Sequence, residues 1–155
     1  MFTRKMKEEM RMNIKFIPSK RKITEIIVHC TATPEGRDVT VDEVRRWHKA
    51  QGWNDIGYHY MVYRDGTVHE GRNVDVAGAH CYGHNSKSIG VVYVGGYATD
   101  GKTAKDTRTA EQKEALLRLL KELRALYPNA VIYGHRDFAA KPCPCFDARR
   151  EYKGI

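Results

Sequence analysis

The chain has 155 residues, a length that suits one domain with a substantial core and no need of disulfide staples. Hydrophobic residues make up 41% and charged residues 30%, ordinary shares for a globular protein, and no apolar run reaches the roughly 18 residues of a membrane-spanning helix. The net charge of +8 suits a polyanionic partner such as nucleic acid, an anionic membrane or an acidic cell-wall polymer, or simply a solvated basic surface. The charge is spread along the chain, and no nucleic-acid motif accompanies it, so nucleic acid is not expected as a partner.

The first ten residues carry basic side chains but no apolar core, unlike a secretory signal. The β-branched run Ile23–Cys30 predicts a buried strand. It ends at His29 and Cys30, before a loop broken by Pro34 and Gly36. A histidine there is placed to be a ligand, or to be a hydrogen-bonded structural residue, and spacing alone leaves both open. Thr40, with Glu43 three positions on, predicts a capping box. Val41, Val44, Trp47 and His48 follow at helical spacing, with Trp47 read as core, and Gly52 closes the helix.

Residues 57–70 read as two aromatic-rich strands around an Asp65-Gly66 turn, with Tyr58 at the mouth of the first. A polar, glycine-punctuated loop over 77–87 carries His80 and His84. It runs into a second buried strand at 88–94. Thr109 and Gln112 predict another capping box, followed by the helical stripe Leu116, Leu119, Leu120, Leu123 and Leu126, which Pro128 ends. A short strand at 130–133 leads into an irregular loop holding His135, Lys141 and Cys143, and a basic helix or tail follows Phe146. The order strand, helix, hairpin, strand, helix, strand predicts an α/β fold: a single domain with a central mixed β-sheet flanked by helices.

There are four cysteines, Cys30, Cys81, Cys143 and Cys145, and the C-x-C spacing of the last two matches neither a zinc ribbon nor a thioredoxin-like site. One is read as functional and the others as small buried or half-buried residues. Pro142 and Pro144 hold Cys143 in a fixed loop beyond a strand end. His29, His135 and Cys143 thus form a possible His2Cys set. Three protein ligands leave a fourth position open, as in a catalytic zinc site and not a structural one. Such a zinc acidifies water to a pKa of about 7 and polarises a carbonyl. No H-E-x-x-H motif is present, so the helix-borne metalloprotease pattern does not apply and its glutamate base is missing. Tyr58 and Lys141, a phenol donor and a cation beside the ligand-bearing loops, are the candidates for stabilising an oxyanion and handling protons.

The motifs Val28-His29-Cys30-Thr31-Ala32-Thr33, Gly57-Tyr58-His59-Tyr60, Arg64-Asp65-Gly66-Thr67-Val68, Gly78-Ala79-His80, Asn85 through Val91, Gly134-His135-Arg136-Asp137 and Lys141 through Asp147 occur in this order. Together they resemble the zinc-dependent N-acetylmuramoyl-L-alanine amidases, most nearly the short phage amidase-lysozymes and more distantly the peptidoglycan recognition proteins. The resemblance covers residues 23 to 147. It implies an amidase/peptidoglycan recognition protein-like fold and cleavage of the amide between N-acetylmuramic acid and L-alanine in peptidoglycan. It maps the ligands of one Zn2+ per chain onto His29, His135 and Cys143, and the catalytic tyrosine and lysine onto Tyr58 and Lys141. It places His80 in the substrate cleft.

Residues 1–22 then read as an N-terminal extension and lead-in, and 23–155 as the zinc amidase domain. The expected partner is peptidoglycan, and the expected state a monomer. The chain is expected to stay in the cytoplasm until released, as a phage or prophage endolysin, and to act on the bacterial cell wall. The rival reading is a recognition domain that binds peptidoglycan without cutting it. Cys143, Tyr58 and Lys141 argue for the enzyme. Cys145 departs from the family pattern.

Overall fold

Six consecutive buried residues, Glu25–Cys30, form β1, the strand on which the molecule is built. The architecture is that of a computed structural model describing Met12 and residues 14–155. Within it follow β2 (Thr33–Pro34), α1 (Val41–Ala50), β3 (Tyr60–Val62), β4 (Val68–Glu70), β5 (Ser88–Tyr93), β6 (Gly96–Tyr97), α2 (Ala110–Leu126), β7 (Val131–Gly134) and α3 (Ala148–Glu151). Single 3-10 turns precede β5 and follow β7.

The main sheet has the order β4-β3-β5-β1-β7. β1 pairs in parallel with both β5 and β7, and β3 pairs in parallel with β5. Only β4 runs antiparallel, through the Asp65-Gly66 turn, where Gly66 adopts φ +86. The mixed sheet expected from the element order is therefore present. Its central strands are covered on both faces, which explains their near-continuous hydrophobic runs.

On one face, Ile26, Val28, Ile89, Val91 and Tyr93 meet Leu116, Leu119, Leu120 and Leu123 of α2, all fully buried. On the other, Met61, Val92 and Val94 meet Val41 and Val44 of α1. Each fully buried leucine contributes about 1.5–3 kcal/mol from burial. Met12 lies in the α2-side core at 3% exposure, with Ile14 and Phe16 packed against the same cluster. The described part of the lead-in thus shares the domain's core. The remainder of the expected N-terminal extension, residues 1–11 and 13, lies outside the described residues.

Two local expectations change. Thr40 accepts from the Glu43 amide at 3.2 Å, but the Glu43 carboxylate turns to Arg37, 3.6 Å away, so only half of that capping box forms. Around α2 both halves form: Thr109 and Gln112 exchange hydrogen bonds at 2.9 and 3.0 Å. Trp47 is not core: it stays 36% exposed, with the Arg37 guanidinium 5.5 Å from its ring centroid. The ten-residue helix docks through Val41, Val44 and His48, a stripe too narrow to include position 47.

Candidate metal centre

Register brings the first two candidates together. β1 and β7 run in parallel with Val28 opposite Gly134, so His29 and His135 each lie one residue beyond a matched pair. Side chains alternate between faces, and Val28 belongs to the α2-side core. His29 and His135 therefore emerge on the opposite face, at the carboxyl ends of parallel strands, where open α/β sheets bind ligands. Their ring centroids are 4.6 Å apart.

Cys143 arrives from the proline-flanked loop, which is anchored by the Arg136 amide donating to the Cys143 carbonyl at 2.7 Å. Its sulfur accepts from the Cys30 amide at 3.2 Å and lies 4.0 Å from His29 Nδ1. The ligand atoms of His29, His135 and Cys143 all fall within 4.8 Å of one another, and among the described residues no other such His, Cys, Asp and Glu group occurs. Neighbouring donors in a tetrahedral zinc site lie about 3.3–3.8 Å apart, so the spacing is of the right scale. The donors are also of the right kind, two imidazoles and a thiol. Both imidazoles are held below the ordinary histidine range. For His29 the causes are burial, then the facing His80, His135 and Lys141; for His135 they are burial and then Lys141. A ring kept neutral offers the lone pair that a metal needs.

The other expected residues border this group. The half-buried Tyr58 ring packs 5.0 Å from that of His29. Burial, then the neighbouring Cys143 and Cys30, push its hydroxyl well above the usual phenol range, so it remains a proton donor at neutral pH. Lys141 is exposed and lines a cavity of about 320 Å³ with Cys30, Cys143, Cys145 and Tyr97. A larger cleft of about 610 Å³, beside β7 and α3, shares none of the candidate residues.

Cys145 does not join the ligand group. Its thiol donates to the Gly96 carbonyl at 3.2 Å and sits 3.9 Å from the Cys30 sulfur. His80 is brought to the site, but behind it: only 8% exposed, it places Nδ1 2.8 Å from His29 Nε2.

Two supporting residues escaped the sequence reading. His48 accepts from the Gly57 amide at 2.8 Å and packs its ring 5.5 Å from that of Tyr58, so it fixes the approach to that residue. Ser88 sits 3.0 Å from His80 Nε2. A buried histidine on a helix, or a serine opening a strand, resembles many packing residues until its partner is known.

The chain as a whole resembles known proteins. Residues 19–146 match the family model described as N-acetylmuramoyl-L-alanine amidase. The endolysin of Enterobacteria phage K11 is 47% identical over 134 residues, covering 86% of this chain and 88% of that protein. Among solved structures, the Ph2119 endolysin from Thermus scotoductus MAT2119 bacteriophage Ph2119 is 30% identical, with TM-score 0.68 over 83% of this chain and 81% of its own. The complex of peptidoglycan recognition proteins LCa and LCx bound to tracheal cytotoxin provides a chain 30% identical, with TM-score 0.70 over 91% and 87%.

Proposed function

Because the chain belongs to the N-acetylmuramoyl-L-alanine amidase family, we propose that it hydrolyses the amide between the lactyl group of N-acetylmuramic acid and L-alanine in peptidoglycan. The observation that carries this reading is the convergence of His29, His135 and Cys143 at the ends of β1 and β7. A recognition domain that only holds the glycopeptide has no need of this donor set, and the set favours the enzyme. The substrate is the cell wall, and no helix among the described residues is long and apolar enough to cross a membrane.

The three side chains would hold one Zn2+, the metal their chemistry fits. When bound, zinc supplies a Lewis acid that lowers the pKa of water to about 7 and polarises a carbonyl. Tyr58 and Lys141 act on the substrate. The Tyr58 hydroxyl donates a hydrogen bond to the carbonyl oxygen as negative charge gathers there. The Lys141 ammonium adds a positive charge on the loop between His135 and Cys143. Donors fixed before the reaction stabilise that charge without reorganising, which is why their position counts for more than their number. Buried β1 and the proline-flanked loop supply the rigidity.

Mass spectrometry of digested, purified peptidoglycan tests the proposal. The expected products are stem peptides beginning with free L-alanine and glycan strands without new reducing ends, formed only in the absence of chelator. New reducing ends would identify a glycosidase and overturn the amidase reading.

A further inference from the structure

His80 has both ring nitrogens engaged inside the protein. Nδ1 lies 2.8 Å from His29 Nε2, and Nε2 lies 3.0 Å from the hydroxyl of Ser88, a residue with no exposed surface. The two imidazoles meet edge to face, with centroids 4.8 Å apart and planes at 87°. The backbone beneath His80 is also fixed: the amides of His80 and Cys81 both donate to Asn85 Oδ1 at 2.9 Å. Space for the ring is cut into the sheet at Gly90, where an added Cβ would stand 2.6 Å from His80 Cδ2. Gly90 is opposite Ile27, two residues before His29 on the same face of β1.

These contacts allow a proton relay in either direction, and a metal on His29 would select one of the two. The His29 nitrogen nearer Cys143 is Nδ1, at 4.0 Å from the sulfur, so it is the atom that faces the ligand group. Its lone pair must be free to bind metal, which leaves the His29 proton on Nε2. Nε2–H then donates to His80 Nδ1, and the His80 proton sits on Nε2 and is donated to Ser88 Oγ. Ligating histidines are commonly fixed in this way by a partner on the other ring nitrogen, which sets both tautomer and ring orientation.

We propose that His80 is a positioning residue that, with Ser88 behind it and Asn85 below it, holds His29 in its ligating tautomer and orientation. The inference rests on the metal-centred reading above. It gives His80 a role other than contact with substrate, which its burial and its two occupied nitrogens do not favour.

The test uses the full chain loaded with zinc, and compares His80→Ala, His80→Gln and Ser88→Ala. Zinc affinity is read by competition with a chromophoric chelator, and kcat and KM are measured on peptidoglycan. The His80→Ala variant should bind zinc about 10–100-fold more weakly, the usual effect of losing such a partner, with KM unchanged at saturating zinc. Gln, whose side-chain carbonyl can accept from His29 Nε2–H, should recover part of that affinity. Wild-type zinc affinity with a raised KM would overturn the proposal and make His80 a substrate residue. Should His80→Ala fail to fold, Ser88→Ala decides: it keeps the ring and removes the support behind it. A severalfold weaker zinc site then supports the relay, and an unchanged one overturns it. Wild-type protein that takes up no zinc would instead overturn the underlying reading of the site.

Discussion

Cys143 is the residue on which the candidate site turns, since it is the one thiol within reach of both histidines. Cys143→Ala should lose both zinc and activity, measured as metal content and peptide release. Cys145→Ser should keep both, because that thiol is directed to Gly96 and Cys30 and not to the histidines. Lys141→Ala separates binding from chemistry: the variant should retain its zinc and lose turnover. Tyr58→Phe keeps the ring packed against His29 and removes only the donor. A fall in kcat of about 100–1000-fold is expected, the usual effect of removing one oxyanion donor. Full activity in Tyr58→Phe would remove the phenol from the mechanism.

At the scale of the elements, α2 lays Leu116, Leu119, Leu120 and Leu123, all fully buried, against the sheet. Leu119→Ala should cost about 2–5 kcal/mol in denaturant unfolding, because the residue is fully buried and the helix and sheet around it cannot collapse to fill the space. Thr109→Ala, which opens the complete capping box, should cost about 0.5–2 kcal/mol. The matching change at Thr40 should fall lower in that range, since only its own half of the box is formed. Gly90 links an element to the site: Gly90→Ala would push into the His80 ring, and loss of zinc should accompany the loss of stability.

Across the whole molecule, an ion cluster around the buried Arg108 guanidinium ties the C-terminal segment to the loop before α2. Arg108, 7% exposed, donates to Asp106, Glu151 and the Tyr152 hydroxyl, with its guanidinium carbon 3.4 Å from the Phe146 ring centroid. The Glu151 carboxyl is held below its usual range by its hydrogen bond to Arg108. At Asp106, burial opposes ionisation, but Arg108 outweighs it and the carboxyl is again held low. Both folded-state values lie below those of the unfolded chain, whose reference values are 3.8 for Asp and 4.5 for Glu. The stabilisation is therefore present in full above that range and is lost as pH falls through the depressed folded values. Melting temperature followed from pH 7 down to about pH 3 should fall more steeply in the native chain than in an Asp106→Asn, Glu151→Gln double variant; parallel curves would exclude the cluster as a source of acid sensitivity.

The sequence by itself determined the elements and the chemistry on offer. β1, the Asp65-Gly66 hairpin and α2 were legible because hydrophobic period, turn residues and capping pairs are local properties. The donor types in His29, His135 and Cys143 were legible for the same reason, and the ordered motifs added the family. Tertiary structure decided what depends on distant partners. Trp47 reads as core from its spacing, yet a short helix docked through three other residues leaves it at the rim. The Glu43 carboxylate forgoes its cap for Arg37. The resemblance places His80 in the substrate cleft; its burial, the notch at Gly90 and its contacts to His29 and Ser88, which only the fold brings together, are what the proposed positioning role is argued from. Only the parallel pairing of β1 with β7 brings His29 beside His135 across more than a hundred residues, because strand register, unlike period or propensity, is fixed by packing between segments far apart in the chain.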